Sequence, residues 1–292
     1  MGRFGNRALR RLSIRRNRIA GPGRAAALAF AAALPAIAAP SVQAEPVAAR
    51  FAPPIDRDIG YHTAETRNQK GTALTFTLEQ RVRFTRAGDG LLMKTTLLSA
   101  ATDATGPVAA RFDAAFRPFV GLTTTLRLNA QGKPLGLADE AATWANLMRT
   151  IDALKQDKGL APETAATIAA IFADIGKLPP AQRAAMLSEG PMRLIGFAMP
   201  PMELDQGVRT GDAKAGASAT LTAIRDDVLV YALRTRAPAA QGVDLISDAE
   251  LEVDRATGLL HRSTSREWLG DEAKDKGEKP NVEIVITRAP DP

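Results

Sequence analysis

Residues 73–99 read ALTFTLEQRVRFTRAGDGLLMKTTLLS, and this stretch decides the fold class. Leu74, Phe76, Leu78, Val82 and Phe84 fall on even positions, while Thr75, Thr77, Glu79, Arg81, Arg83 and Thr85 fall on odd ones. A period of two gives a β-strand one dry face and one wet face. Gly88-Asp89-Gly90 then turns the chain into a second apolar run, Leu91 to Ser99. Asp-Gly between two such runs is a hairpin signal. Short connections make neighbouring strands antiparallel, and one-sided alternation requires something to cover the apolar face.

The same pattern extends in both directions. Upstream, Ile59, Tyr61 and Thr63 share one strand face. Downstream, Thr123 to Leu128 reads as strand, 129–132 as turn, and Lys133 to Leu137 as the return. After Pro200-Pro201, alternation resumes at Ala217, Ala219, Leu221 and Ala223, and Arg225-Asp226-Asp227 turns it into Val228 to Leu233, apolar on both faces. Val243, Leu245, Ala249, Leu251 and Val253 line one side of a long strand whose other side carries Asp244, Asp248, Glu250 and Glu252. Residues 254–258 turn this strand into Leu259 to Trp268, a charged loop follows over 270–279, and Val282, Ile284 and Ile286 form the closing strand.

The middle of the chain, about 138–199, has a different period. Trp144, Leu147, Met148, Ile151 and Leu154, then Ile168, Ile171, Phe172 and Ile175, repeat at helical spacing and give each helix one apolar side. Asp139 is placed to cap the first helix, Gly159 ends it, and Pro162 opens the second. Pro179-Pro180 separates a third helix at Ala181 to Leu187, which Gly190-Pro191 is expected to break, with a shorter helix running on to Phe197. A short helix is also expected at Pro107 to Phe119, with Phe112, Ala115, Phe116 and Phe119 on one side. About nine twisted strands curl rather than lie flat. The predicted architecture is α+β: a single domain over 45–292 in which a curled antiparallel half-barrel of about nine strands carries the helical segment on its concave face.

The first 44 residues have eight arginines and no acidic residue or lysine, then an alanine-rich apolar run from Ala25 to Ala39, then Val42-Gln43-Ala44. These are the three parts of a secretory signal peptide, with cleavage expected near Ala44. The apolar run is too short to span a bilayer as a helix, and no other long apolar run follows, so no transmembrane segment is expected in the mature chain. Of the 38 basic residues 30 remain after cleavage, against 32 acidic ones, so the formal charge of +6 belongs to the leader and the mature chain is near −2. Such a balance excludes a nucleic-acid-binding face. There is no cysteine, hence no disulfide and no lipid-attachment cysteine. The expected location is the periplasm, or outside the cell.

Catalytic motifs are sparse. The two histidines, His62 and His261, lie far apart without a second ligand at metal-site spacing. Residues 216–220 lack the final glycine of a nucleophile elbow and lead into a strand rather than a helix. Ser263 and Ser265 flank His261 without implying triad geometry, and Asp226-Asp227 reads as a solvated turn. There is no phosphate-cradling glycine loop, so neither an enzymatic activity nor a cofactor or metal is expected. Five of the seven methionines (Met148, Met186, Met192, Met199 and Met202) lie in or beside the helical segment. Methionine suits both core filling and binding of variable shapes.

Hairpins, a helical middle, a return at Gly211-Asp212 and further hairpins around the 254–260 turn (Asp-Arg-Ala-Thr-Gly-Leu-Leu) resemble poorly characterised exported envelope families with a half-open β-barrel. More distantly, the layout is similar to the lipoprotein carriers and receptors of the outer-membrane pathway (LolA and LolB type). That resemblance implies a hollow able to hold acyl chains, although the chain lacks the receptors' lipid-attachment cysteine and exceeds the carriers' helix content. The expectation is a non-enzymatic periplasmic protein that binds a lipid, an acyl chain or a lipoprotein partner, with Trp144, Leu147, Met148, Ile151, Phe172 and Met192 lining the hollow. The alternative is an envelope protein-interaction module with a fully packed core, which meets its partner through the acidic strand face. A hydrolase using His261 ranks third.

Overall fold

The structure is a computed structural model that describes residues 46–69, 72–195, 202–211, 216–238, 244–269 and 282–289. The leader, Pro200-Pro201, Asp212, Val243, Met199 and the charged 270–279 loop lie outside the described residues.

Eleven strands form one antiparallel sheet: β1 Asp58–Gln69, β2 Thr72–Ala87, β3 Gly90–Thr102, β4 Thr123–Leu128, β5 Pro134–Leu137, β6 Gly207–Gly211, β7 Gly216–Arg225, β8 Val228–Pro238, β9 Asp244–Asp254, β10 Leu260–Leu269 and β11 Val282–Arg288. Their spatial order is β5-β4-β3-β2-β1-β11-β10-β9-β8-β7-β6, with β5 and β6 at the two free edges. The chain builds one wing outward from β1, crosses through the helices, and builds the other wing back from β6 until β11 pairs with β1. The expected count of about nine strands is thus corrected to eleven. The unforeseen strand is β6, a Gly-Val-Arg-Thr-Gly segment whose single apolar residue, Val208, gives no alternation to read.

The hairpin at 88–90 forms with Gly88-Asp89 as its central pair, and Gly88 takes φ +57. Gly90 is therefore the first residue of β3, not part of the turn. A Cβ there would sit 2.2 Å from the Leu128 carbonyl oxygen of β4, so strand contact rather than turn geometry requires a glycine.

The curl of the sheet can be read from one residue. Phe51 belongs to an N-terminal arm that crosses the end of the barrel. Its ring lies within 2.8 Å of where a Cβ on Gly132 would stand, in the β4–β5 turn. Its Cα lies 3.0 Å from where a Cβ on Gly258 would stand, in the β9–β10 turn. Six strand spacings separate those turns, about 29 Å in a flat sheet. One side chain spans them here, so the two wings bend toward each other. The arm is held by backbone hydrogen bonds from Arg50 N–H to Arg255 O (3.0 Å) and Ala52 N–H to Thr257 O (2.9 Å), and by a two-way bridge between Val47 and Met202.

Four α-helices are described: α1 Gly106–Phe116, α2 Glu140–Gln156, α3 Pro162–Phe172 and α4 Pro180–Leu194. Asp139 stands at the N-terminus of α2, but its side chain makes no capping hydrogen bond; only its carbonyl accepts, from Thr143 N–H at 2.9 Å. Gly190-Pro191 does not break the third predicted helix: α4 runs on to Leu194 with Pro191 inside it. An internal proline forfeits one backbone hydrogen bond. Burial of Pro191, Leu194 and Ile195 under the sheet accounts for the continuation, because tertiary packing overrides local propensity.

The described residues form two hydrophobic cores. The larger lies on the concave face and joins Ile59, Tyr61, Val82, Phe84, Met93, Leu126 and Leu128 to Leu221, Leu229, Tyr231, Leu251, Val253 and Leu260. The ends of the crossing segment, Leu194, Ile195 and Met202, and the arm residues Val47, Ala49, Phe51 and Ile55 fill it from above. The smaller core lies among the helices, and α1 and α4 set it against β3, β4 and β5.

Candidate functional site

Of the six residues expected to line a hollow, four are fully packed. Trp144 (7 % exposed), Leu147, Ile151 and Phe172 lie in the smaller core with Ile168, Ile175 and Leu187. Met148 is half-buried against the same cluster. Met192 stands apart at 41 % exposed. Helical periodicity identified the buried sides of α2 and α3 correctly, but those sides face other helices: α2 packs on α3 and α4, and α3 on α1 and α2. The indole of Trp144 carries the Arg183 guanidinium 5.1 Å from its ring, a cation–π contact that caps this core.

The residues that face the hollow come from the strands. Register defines the concave rows. One runs Leu78, Thr63, Ile286, Ser263, Leu251, Tyr231, Leu221. The next, one pleat further along, runs Phe76, Glu65, Ile284, Ser265, Ala249, Leu233, Ala219, Val208. In the first row Tyr231, Leu221, Leu251 and Ser263 are buried; in the second, Ser265, Ala249, Leu233 and Ala219 are only half-buried. An apolar floor therefore opens into a trough of small side chains on the β7–β10 wing. Over the opposite wing, α1 stands on β3, and α4 on β4 and β5.

Polar groups interrupt the concave face at several levels. Thr63, Gln80, Thr95, Thr124, Ser247 and Ser263 are all buried there. Glu65 pairs with Arg67 two residues on, and the Arg67 guanidinium lies 5.0 Å from the Phe76 ring, which meets Phe112 and, through it, Phe116 of α1. Two hydroxyls on this face lack a hydrogen-bond partner, Tyr231 Oη and Thr95 Oγ1. A buried donor left unmade costs about 1–3 kcal/mol, so each is a specific departure from the satisfied norm. Burial pushes the Tyr231 phenol above its ordinary pKa. Tyr61, also fully buried, differs: its hydroxyl donates to the Leu260 carbonyl at 3.2 Å, while burial, partly offset by Arg288, raises its pKa.

The polar motifs of the sequence lie elsewhere. His62 is on the convex face, Nδ1 2.6 Å from Glu79 Oε1. His261 is the extra residue of a β-bulge between Leu260 and Arg262 and is exposed. Among the described residues no cluster of three metal donors exists. Asp226 takes φ +49 in the β7–β8 turn, and Asp227 accepts the Arg255 N–H through its carbonyl at 2.7 Å. The acidic side of β9 is interleaved with basic neighbours: Arg236 pairs with Asp244, Arg234 with Asp248, and Arg262 stands opposite Glu252.

No protein-family model matches the chain, and no curated protein matches it in sequence. Among solved structures it is similar to one of lipovitellin described by its lipid–protein interactions, with a TM-score of 0.40 and 6 % identity. The match covers 80 % of this chain and 25 % of that one, so the chain spans about a quarter of the length of its structural neighbour. By architecture the molecule is α+β, with a large antiparallel sheet that is not closed.

Proposed function

We propose that the chain is a non-enzymatic, exported envelope protein that holds an apolar ligand, a lipid or acyl chain, either free or on a lipidated partner, in the hollow of its curled sheet. The observation that carries this reading is the asymmetry of the concave face. A packed floor of Leu221, Leu251 and Leu229 passes into the half-buried trough of Ala219, Leu233, Ala249 and Ser265. A strip of half-buried, mostly small apolar side chains beside a packed apolar floor suits an acyl chain better than a charged metabolite. The signal-peptide pattern ending at Ala44 supports a periplasmic or secreted location.

Protein purified without detergent is extracted with organic solvent and analysed by mass spectrometry, and the stripped protein is titrated with a fluorescent fatty acid. Co-purified lipid and saturable uptake are the expected results. Absence of both would overturn the reading. The competing reading, an interaction module with no ligand, is favoured by the completeness of the smaller core, where Leu147 and Ile168 have no exposed surface. It predicts capture of an envelope protein with no lipid in the extract.

A further inference from the structure

We propose that the convex face of β2–β4 is a docking surface for an anionic bilayer: Arg83, Lys94 and Arg127 meet lipid phosphates, and Leu135 at the sheet edge enters the head-group layer. This face is the reverse of the one that carries the hollow, so the inference does not rest on the acyl reading.

Charge is divided unevenly along the sheet. Strands β6–β11 carry seven basic and seven acidic residues. Strands β2–β5 carry five basic residues and one acidic one, Glu79, whose carboxylate lies 2.6 Å from His62 Nδ1. On the balanced wing the convex arginines face carboxylates across the strands: Arg234 is 3.6 Å from Asp248, Arg236 2.6 Å from Asp244 and Arg266 3.0 Å from Glu283. On the basic wing the register instead sets Arg83 directly opposite Lys94. Side chains so placed have Cβ atoms about 5 Å apart, and like charges there are destabilising. The one carboxylate paired with this group, Asp58, is shared by Arg81 and Arg83 at 3.8 and 3.5 Å. Lys94 and Arg127 are exposed and have no ion-pair partner among the described residues. An anionic partner would offset this opposition.

What stands beside the cations selects the partner. One pleat from Lys94, Leu92 lies opposite Arg127 on the same face. The two line a shallow depression with Ala87, Ala130 and Leu135, and Asp89 is the only carboxylate that borders it. Leu135 is the bulged residue of β5 opposite Arg127 and Leu128. At 62 % it is the most exposed large apolar side chain among the described residues. Cations flanked by a protruding leucine suit a bilayer surface, where phosphates neutralise the charges while the apolar side chain leaves water.

The test is sedimentation of the mature chain with lipid vesicles. Each cation at an anionic surface is worth about fivefold in affinity. Wild type should bind equimolar phosphatidylglycerol–phosphatidylcholine vesicles but not pure phosphatidylcholine, and should lose affinity as salt rises. Lys94→Gln/Arg127→Gln should weaken binding about 25-fold, while Arg262→Gln/Arg266→Gln, the same change in net charge on the other wing, should alter it by less than about twofold. Leu135→Ser should weaken binding with the salt dependence intact. Equal losses in the two double variants would overturn the assignment, since net charge alone would then explain the binding. Unchanged affinity in Leu135→Ser would also overturn it, because the edge would not be seated among head groups. So would a wild type that ignores anionic vesicles; if it then captures an acidic envelope protein through Lys94 and Arg127, the patch serves a protein. Lys94→Gln should melt no earlier than wild type, because it relieves the opposition to Arg83. A clear loss of stability would show that Lys94 serves the fold, and the assignment would fall.

Discussion

The two wings of the sheet are built alike and covered differently. Each is an antiparallel meander with one face dry, yet the described helices pack most extensively on β3, β4 and β5 of one wing, while only the end of the last helix, at Leu194 and Ile195, reaches the core shared with the other. Their concave side chains match this difference. Met93, Leu126 and Leu128 are large and buried, whereas Ala217, Ala219 and Ala249 are small and half-buried. A face that meets a helix needs bulk to fill the interface at interior packing density. A face that stays open to a variable occupant needs room. The comparison teaches that, on the proposed reading, side-chain size on one wing would set the capacity of the hollow, since hydrophobic content is shared by both.

The contrast can be broken most decisively by changing volume on each side. Leu147→Ala, within the helical core, should cost about 3–4 kcal/mol by urea denaturation, because Leu147 is fully enclosed and its cavity cannot collapse. Ala219→Leu on the open wing should cost about 1 kcal/mol or less while reducing acyl uptake. Equal costs would mean that the trough is as tightly packed as the helical core. A smaller effect probes what holds the wings together. Gly258→Ala forces a side chain onto φ +69 and brings its Cβ within 3.0 Å of the Arg50 carbonyl oxygen and the Phe51 Cα. A loss of about 1–2 kcal/mol is expected, with increased proteolysis of the N-terminal arm. A neutral result would show that the arm is not a structural strap.

The smallest effect is a pH dependence at the same end of the barrel. Burial alone would raise the pKa of Asp254. Hydrogen bonds from the backbone and side chain of Thr257, together with the Arg288 guanidinium, outweigh it and hold the carboxyl below its ordinary value. The Asp254 carboxylate also receives the Ala256 N–H at 3.0 Å and the Thr257 N–H at 2.9 Å. A depressed folded pKa means that the contribution is fully present above the unfolded value of 3.8 and is lost as pH falls through the folded one. Wild-type stability should therefore decline below about pH 4, and Asp254→Asn should flatten that decline without affecting the trough. An unchanged acid limb in the variant would show that the turn contributes nothing to joining the wings.

The sequence by itself determined the strands, because alternation is local: Thr123–Leu128 appears in the structure with the predicted bounds, and the even face of β2 is the buried one. It determined which sides of α2 and α3 are dry, since Trp144, Leu147, Ile151 and Phe172 repeat at 3.6. It could not show what those sides would touch. Periodicity marks a surface as apolar and is silent about its partner: Trp144, Leu147, Ile151 and Phe172 lie in the core among the helices. The strand β6 escaped notice because a glycine-bounded pentapeptide earns its pairing only from the edge offered by β7. Tyr231 was read as one apolar residue in a run. That its hydroxyl is buried without a protein partner depends on residues of β7 and β9 that only tertiary structure brings alongside.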